Sequence, residues 1–443
     1  GCLSLLTPPH TPIPLTMATA STSASSLPHE KRPKHPPAAS FPKHKIKILV
    51  LENVARSAIK IFEDHTYQLE VIPRALQGDE LREKLADVHA VCIRSTTQIT
   101  AEALEGAKRL LAIGCFCIGT NQVDLDACAA RGIAVFNSPF CNTRSVAELI
   151  VSMIIALARR LGDKNRELHD GVWDKSAVNC HEIRGKTLGI VGYGHIGTQL
   201  SILAEALGMK VVFKDISVKM AYSNSRQVFS LDELFELSDF VTMHVPETPE
   251  TIGMIGASEF ERMRPGTFFL NASRGSVVDL DALAAAVRSG HIAGAYVDVY
   301  PTEPTGRSRE FECPLRGLPN VIMSPHIGGS TEEAQWAIGT DVASKLADYI
   351  NVGVSLGAVN FPELTLPYFP DTHRICSVHQ NKPGALRAIN NIVGDTRANI
   401  VSQVLGTRGS IGYLILEVDQ DLSQQVKEAI AQLSISIKTR IMF

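Results

Sequence analysis

The strongest constraint on this chain is a six-residue turn, Gly192-Tyr-Gly194-His-Ile-Gly197, set between an apolar run and a helical pattern. Thr187-Leu-Gly-Ile-Val191 reads as a buried parallel strand, and residues 198–207 have helical spacing. Val211-Val-Phe-Lys-Asp215 reads as the next strand, and it ends in an acid 23 positions after Gly192. Each part has a physical reason. Gly192 permits the tight turn, Gly194 lets the backbone approach a pyrophosphate, and Gly197 lets the helix pack closely on the strand. The helix N-terminus offers N–H donors and a positive dipole end to phosphates. Asp215 is placed to accept hydrogen bonds from both ribose hydroxyls and to repel a 2′-phosphate, which points to NAD rather than NADP. A chain carrying this unit is committed to an α/β fold around a parallel sheet.

The same alternation recurs elsewhere. Strands expected at 46–51, 90–94, 110–114 and 133–136 alternate with helical segments, followed by a long apolar helix over 145–160. After the glycine-rich turn, further strands are expected at 240–245, 267–271, 294–299 and 321–324. The end of the chain reads differently. Strand 374–379, helix 384–393, strands 400–405 and 413–418, helix 422–433 and strand 435–441 make a ferredoxin-like βαββαβ unit. The expected architecture is α/β, with two Rossmann-like parallel-sheet domains and a C-terminal ferredoxin-like domain.

Composition excludes several functions. Lys and Arg number 43 against 46 Asp and Glu, so no global positive charge calls for nucleic acid. The apolar stretches are too short to span a membrane. Nine cysteines without paired metal-ligand spacing suggest reduced thiols in a cytoplasmic protein and no metal site. Cys115-Phe-Cys117 has no second pair to complete a zinc site and reads as small side chains beside a strand. Residues 1–45 hold nine of the 23 prolines and eleven Ser or Thr. They are expected to form a disordered leader, and their prolines oppose an amphipathic targeting helix.

Three chemically loaded turns follow strands of the second unit: Asn271-Ala-Ser-Arg274-Gly275, Asp298-Val-Tyr-Pro-Thr-Glu303 and Ser324-Pro-His326. In a parallel sheet such strand ends line one crevice with the nucleotide. Arg274 can fork onto a carboxylate or polarise a carbonyl. His326 can take a hydroxyl proton as hydride leaves for nicotinamide. Glu303 can hold the other imidazole nitrogen and set its tautomer. Together they suit oxidation of an alcohol beside a carboxylate.

At this point the chain resembles the D-isomer-specific 2-hydroxyacid dehydrogenases, in the branch that ends in an ACT domain. The resemblance rests on Gly114-Cys-Phe-Cys-Ile-Gly-Thr-Asn-Gln-Val-Asp124, Asn142-Thr-Arg-Ser-Val-Ala-Glu148, residues 189–197, Asn271-Ala-Ser-Arg-Gly275 and Pro325-His-Ile-Gly-Gly-Ser-Thr331. It implies oxidation of 3-phospho-D-glycerate by NAD to 3-phosphohydroxypyruvate, the first step of phosphorylated L-serine biosynthesis. It further implies that His195, Ile196, His244, Val245, Pro246, Ala272, Ser273, Asp298 and Gly328 join Gly192, Gly194, Gly197, Asp215, Arg274 and His326 around the cofactor. Asp298 would receive the nicotinamide carboxamide. Arg94 and Ser95 would meet the substrate phosphate, with Asn142, Arg274 and His326 also at the substrate. Close bacterial relatives carry an Arg where this chain has Thr96, which leaves one phosphate ligand to be supplied, with Arg74 or Lys175 as candidates.

The resemblance also implies a discontinuous layout. A substrate domain would comprise 46–141 and 329–371, a nucleotide domain 142–328, and an ACT domain 372–443. His379-Gln-Asn381-Lys-Pro-Gly384 resembles a serine-binding motif. It implies feedback inhibition by L-serine, held by His379, Asn381 and Asn399 across a paired ACT interface. Trp173 resembles a residue that packs on a neighbouring subunit, and a homotetramer is expected. Two rival readings share the sequence: a glyoxylate, hydroxypyruvate or 2-oxoglutarate reductase, and a nucleotide-binding corepressor or scaffold. Arg94-Ser95 and the ACT unit weigh against the first, and the intact Arg274, Glu303 and His326 against the second.

Overall fold

The computed structural model describes residues 42–304, 310–367, 369 and 371–442. The expected leader lies outside the described residues over 1–41, and Lys43–Lys45 form one short helical turn ahead of the first strand.

The first sheet has five parallel strands: β1 (Lys47–Leu51), β2 (Gln68–Ile72), β3 (Ala90–Ile93), β4 (Ala112–Cys115) and β5 (Ala134–Asn137). Their order is β2-β1-β3-β4-β5. Strands β3 and β4, and edge strand β5 beside them, are buried throughout, as parallel strands covered on both faces must be. Chain order reverses between β1 and β3, which makes a crevice at their carboxyl ends.

The second sheet has seven parallel strands: β6 (Thr187–Val191), β7 (Lys210–Lys214), β8 (Arg226–Gln227), β9 (Phe240–Met243), β10 (Thr267–Asn271), β11 (Ile292–Val297) and β12 (Val321–Met323). Their order is β12-β11-β10-β9-β6-β7-β8, so the reversal here falls between β6 and β9. The helix Thr143–Ala158 packs on this sheet, its Val146, Ile150, Ile154 and Leu157 sharing a core with Leu188, Ile190 and Tyr296.

The helix Glu332–Val352 brings the chain back to the first sheet. Thr331 caps it by accepting a hydrogen bond from the Ala334 amide. Ile338, Val342, Leu346 and Tyr349 then enter the core that holds Ile48, Val50, Phe62 and Phe136. Two glycines let the layers approach. A Cβ at Gly114 would lie 2.7 Å from Leu346 Cδ1, and one at Gly339 would lie 2.2 Å from Ser57 Oγ.

The third sheet is antiparallel: β13 (Thr372–Gln380), β14 (Ile400–Arg408), β15 (Ile411–Asp419) and β16 (Ser436–Met442), ordered β14-β15-β13-β16. The helices Ala385–Asp395 and Ser423–Ala431 cover one face. The other face adds Cys376, Val378, Tyr413 and Ile415 to the core of the first sheet. Arg374 is buried against Glu417, and its remaining donors reach the carbonyls of Val352, Leu366 and Pro367. Those extra bonds offset the cost of burying the pair. Among the described residues no helix is long and apolar enough to cross a membrane.

The α/β architecture with a ferredoxin-like C-terminal unit is as the sequence indicated, with boundaries shifted by one to three residues. Two strands were not anticipated. Edge strand β2 is half exposed and mixes Gln68 and Glu70 with apolar residues, so it lacks the continuous apolar run of its neighbours. β8 is only two residues long.

Gly339→Ala should be overpacked against the helix Arg56–Asp64 and lose about 1–3 kcal/mol. A urea melt should show a lower midpoint with an unchanged slope; an unchanged midpoint would remove the close approach as a constraint.

Candidate active site

The carboxyl ends of β6 and β9 form the second sheet's crevice. Gly192 has φ +95°, and a Cβ there would lie 2.4 Å from the His244 carbonyl oxygen. Only glycine fits. A Cβ at Gly197 would meet the Gly192 carbonyl oxygen at 2.4 Å, whereas one at Gly194 would meet nothing within 4 Å. The turn is thus closed on the protein side and open where a pyrophosphate would approach. His195 and Ile196 open the helix His195–Ala206, with its N-terminal amides facing that space. Asp215 follows β7 beside the turn, accepting hydrogen bonds from the Tyr193 amide at 2.9 Å and from the Ser217 amide and hydroxyl at 3.1 Å. Burial alone would raise its pKa, but these bonds hold the carboxyl below its usual range. Opposite, His244, Val245 and Pro246 follow β9. The His244 Nε2 lies 3.1 Å from Thr242 Oγ1, its Nδ1 is buried without a partner, and burial pushes its pKa down to about 4.

The three loaded turns gather at neighbouring strand ends. After β10, buried Asn271 shapes the turn: its Oδ1 accepts from the Ser273 amide and hydroxyl, and its Nδ2 donates to the Arg274 carbonyl. Ala272 and Ser273 lie within this turn, and Arg274 is half-buried at its end. Gly275 has no room for a side chain, since a Cβ would fall 1.9 Å from the Tyr300 carbonyl carbon.

After β11, Asp298 is 1 % exposed. Its carboxylate accepts from the Ser324 hydroxyl, from the Ile327 amide at 2.9 Å and from the Gly328 amide at 2.8 Å, and its carbonyl accepts from the His326 amide at 2.8 Å. His326 has φ +53°, a left-handed conformation that a side-chain-bearing residue keeps only when its surroundings impose it. Four bonds to one aspartate do so. The imidazole Nδ1 then lies 2.7 Å from Glu303 Oε2, while Glu303 Oε1 accepts from the Tyr300 amide at 3.1 Å. With Nδ1 committed to the carboxylate, Nε2 is the nitrogen free for proton transfer.

Across from these lies the crevice between β1 and β3. Arg94 is half-buried and Ser95 exposed at the turn after β3. The Arg94 carbonyl accepts from Gln122 Nε2 at 2.5 Å and from Cys117 Sγ at 3.5 Å. Glu52, at the end of β1, accepts from the amides of Thr96 at 3.0 Å and Thr97 at 2.8 Å. Sequence reasoning missed Glu52: its partners are 44 and 45 residues away, and only its place at the strand-order reversal could have singled it out. Burial first, with the Glu52 charge adding, pushes the Cys117 thiol up despite Gln122, Arg94 and Arg274 nearby. Arg74 is engaged with Glu80 at 2.6 Å on the surface, which makes it a poor substitute for the missing phosphate ligand. Lys175 is exposed in the segment beyond the helix Leu161–His169.

The segments that would link the two expected domains meet at Asn142 and Gly329, where a Cβ on the glycine would lie 2.2 Å from Asn142 Nδ2. The buried Asn142 Oδ1 has no partner. Ser145, in the first turn of the helix Thr143–Ala158, and Thr331 join these segments through their hydroxyls at 2.9 Å.

In the third sheet His379 is 2 % exposed with its Nδ1 unpartnered, and burial lowers its pKa. Asn381 is exposed and donates to the Gly409 carbonyl, ahead of β15. The Asn399 amide donates to Asp419 at the far end of β15. The two asparagines therefore lie at opposite ends of one nine-residue strand. No group of three or more His, Cys, Asp or Glu that could hold a metal occurs among the described residues.

Comparisons with known proteins give the family and agree with the fold. Residues 151–328 match the family described as D-isomer specific 2-hydroxyacid dehydrogenase, NAD binding domain. Residues 375–438 match the AHAS small subunit-like ACT domain. The chain is 55 % identical over 407 residues to D-3-phosphoglycerate dehydrogenase of Dictyostelium discoideum, covering 92 % of this chain and 100 % of that one. It is 50 % identical over 426 residues to D-3-phosphoglycerate dehydrogenase 1 of Saccharomyces cerevisiae, covering 93 % and 90 %. Among solved structures it resembles D-lactate dehydrogenase of Aquifex aeolicus complexed with NAD and lactic acid, at TM-score 0.62 and 26 % identity over 71 % of this chain and 100 % of that one.

The state of His244 has a measurable consequence. Its pKa is about 4 in the folded protein against an ordinary 6.5, so the unfolded chain binds the extra proton first as pH falls. Stability should therefore drop as pH falls from 6.5 towards 4, and His244→Gln should flatten that limb of a denaturation-versus-pH curve. An identical limb in the variant would show that His244 is not the group responsible.

Proposed function

The chain belongs to the D-3-phosphoglycerate dehydrogenases of the D-isomer-specific 2-hydroxyacid dehydrogenase family, and from that premise we propose which of its residues carry out the reaction. The reaction is NAD-dependent oxidation of 3-phospho-D-glycerate to 3-phosphohydroxypyruvate. The cofactor is NAD, and the open space at Gly194 beside the Asp215 carboxylate fits it. When bound, NAD supplies the acceptor for the hydride from the substrate C2.

His326 is the acid/base. Its Nε2 takes the proton of the C2 hydroxyl while Nδ1 stays on Glu303, whose carboxylate stabilises the imidazolium that forms. This 2.7 Å pair, held at carboxyl strand ends of the sheet that also carries the dinucleotide turn, is the observation that carries the reading. Arg274 binds the substrate carboxylate and the oxygen that becomes the carbonyl. Arg94 and Ser95 bind the phosphate, and Asn142 lies at the substrate where the linkers cross. Asp298 holds the His326 loop by its side chain and also faces the nicotinamide carboxamide. His195, Ile196, Gly192, Gly197, His244, Val245, Pro246, Ala272, Ser273 and Gly328 complete the cofactor's surroundings.

The domain layout is 46–141 with 329–371 for substrate, 142–328 for nucleotide and 372–443 for the ACT unit. Packing of the helix Glu332–Val352 on the first sheet and of the helix Thr143–Ala158 on the second supports it. The crossing at Asn142 and Gly329 is then the hinge on which the lobes close and exclude water. L-Serine is the inhibitory effector, bound by His379, Asn381 and Asn399. Nine strand residues span about 30 Å, so Asn381 and Asn399 meet one ligand only if two copies pair edge to edge. That pairing, with Trp173 at 80 % exposure beside exposed Val172 and Val178, supports a homotetramer. The free thiols fit a cytoplasmic enzyme.

Steady-state NADH formation from 3-phosphoglycerate tests the active-site reading. His326→Ala should lower kcat by about 10²–10⁴ with NAD affinity intact, and Arg94→Met should raise KM for phosphoglycerate. Near-normal kcat in the histidine variant would refute the acid/base role.

Adding L-serine to the same assay tests the effector site. The native enzyme should be inhibited, and Asn381→Ala should be less sensitive with its basal rate unchanged. Equal inhibition of both would place the effector elsewhere.

A further inference from the structure

The turn that carries Arg94 and Ser95 is held on both flanks. On one side the Arg94 carbonyl is fixed by Gln122 and Cys117. On the other, the amides of Thr96 and Thr97 both donate to Glu52. Among the described residues, no hydrogen bond or ion pair engages the Arg94 guanidinium or the Ser95 hydroxyl. The turn thus commits its backbone to the protein and leaves those two groups for a ligand.

Glu52 itself is held in an unusual way. Its φ is +58° and that of the following Asn53 is +52°, two consecutive non-glycine residues in the left-handed region. Each such conformation costs free energy and persists where the surroundings demand it. Here the chain leaves β1, turns sharply and sends the Glu52 carboxylate over to the neighbouring strand end. The location adds weight: the reversal of strand order between β1 and β3 is where doubly wound sheets place their ligands.

We propose that Glu52 is the positioning residue for the phosphate subsite: its carboxylate, by accepting the Thr96 and Thr97 amides, sets the angle at which Arg94 and Ser95 meet the substrate's phosphate. Glu52 does not touch the substrate. It also takes up two N–H groups that would otherwise be open to an anion, so the phosphate is recognised by Arg94 and Ser95 rather than by a general backbone nest. This matters because Thr96 supplies no cation. With a single arginine in the turn, its orientation governs discrimination between phosphorylated and unphosphorylated substrates. The proposal rests on the reading of Arg94 and Ser95 as phosphate ligands.

The sign of one measurement separates positioning from simple proximity. A negative charge near the phosphate repels it, so if Glu52 acted only as a nearby charge, its neutralisation would lower KM for phosphoglycerate. If it positions the turn, the loss of its hydrogen bonds raises KM. Glu52→Ala removes both acceptors and should raise KM for 3-phosphoglycerate about tenfold, the scale set by loss of charge-assisted hydrogen bonds. Glu52→Gln keeps one acceptor and should fall between the native enzyme and Glu52→Ala. In both variants kcat and the KM for NAD should change less than about twofold, and KM for unphosphorylated hydroxypyruvate in the reverse direction should stay unchanged.

A thermal melt of each variant checks that the fold is retained. A lowered or unchanged KM for phosphoglycerate overturns the proposal, as does a parallel rise for hydroxypyruvate, which would mark a general structural role. Arg94→Met keeps the two layers distinct. If it leaves KM unchanged, the phosphate reading itself fails; if it raises KM while the Glu52 variants do not, only the role of Glu52 fails.

Discussion

The geometry of the cleft depends on one buried carboxylate. Asp298 takes hydrogen bonds from the Ser324 hydroxyl and the amides of Ile327 and Gly328, and its own carbonyl takes the His326 amide. Those bonds hold His326 at a positive φ, put its Nδ1 on Glu303 and leave Nε2 facing outward. They also fix the start of the path back to the first sheet, because Gly328 leads at once to Gly329 and Thr331. A buried carboxylate is costly unless its oxygens are hydrogen-bonded. Asp298 meets that condition by organising the segment that holds the histidine and leads into the helix Glu332–Val352.

From there the rest of the architecture follows. The helix Glu332–Val352, capped by Thr331, runs 21 residues and presses on the helix Arg56–Asp64 through Gly339 and on β4 through Gly114. Its far end accepts hydrogen bonds from Arg374 and Arg440 of the third sheet. One helix therefore joins the histidine loop, the core of the first sheet and the C-terminal unit. The two parallel sheets each reverse strand order once, between β1 and β3 and between β6 and β9. The residues proposed for phosphate lie at the first reversal, and those for the dinucleotide at the second.

Much of this was legible in the sequence because the chemistry was local. Gly192, Gly194, Gly197 and Asp215 lie within 24 residues, and each has a steric or electrostatic reason that needs no knowledge of the fold. Arg274, Glu303 and His326 were readable as a group because each follows a strand of one parallel sheet. Non-local features were not readable. Glu52 acts on amides 44 and 45 residues away from a strand end with no motif around it. The left-handed backbone of His326 results from Asp298, 28 residues earlier, and a histidine gives no sign of it. Edge strand β2 alternates polar and apolar residues because half of it faces solvent. The separation of Asn381 from Asn399 by the length of β15 is likewise a product of strand pairing, which the motif His379-Gln-Asn381 does not encode.

The central claim is that two facing crevices divide one substrate between them, its phosphate at Arg94 and Ser95 and its C2 hydroxyl at His326. A crystal structure with NAD and 3-phosphoglycerate, or its slow analogue, measures this directly. The account predicts the phosphate in contact with Arg94 and Ser95 and the C2 oxygen within hydrogen-bonding distance of His326 Nε2, with Nδ1 still on Glu303. A phosphate bound elsewhere, or a C2 oxygen out of reach of that nitrogen, would contradict it.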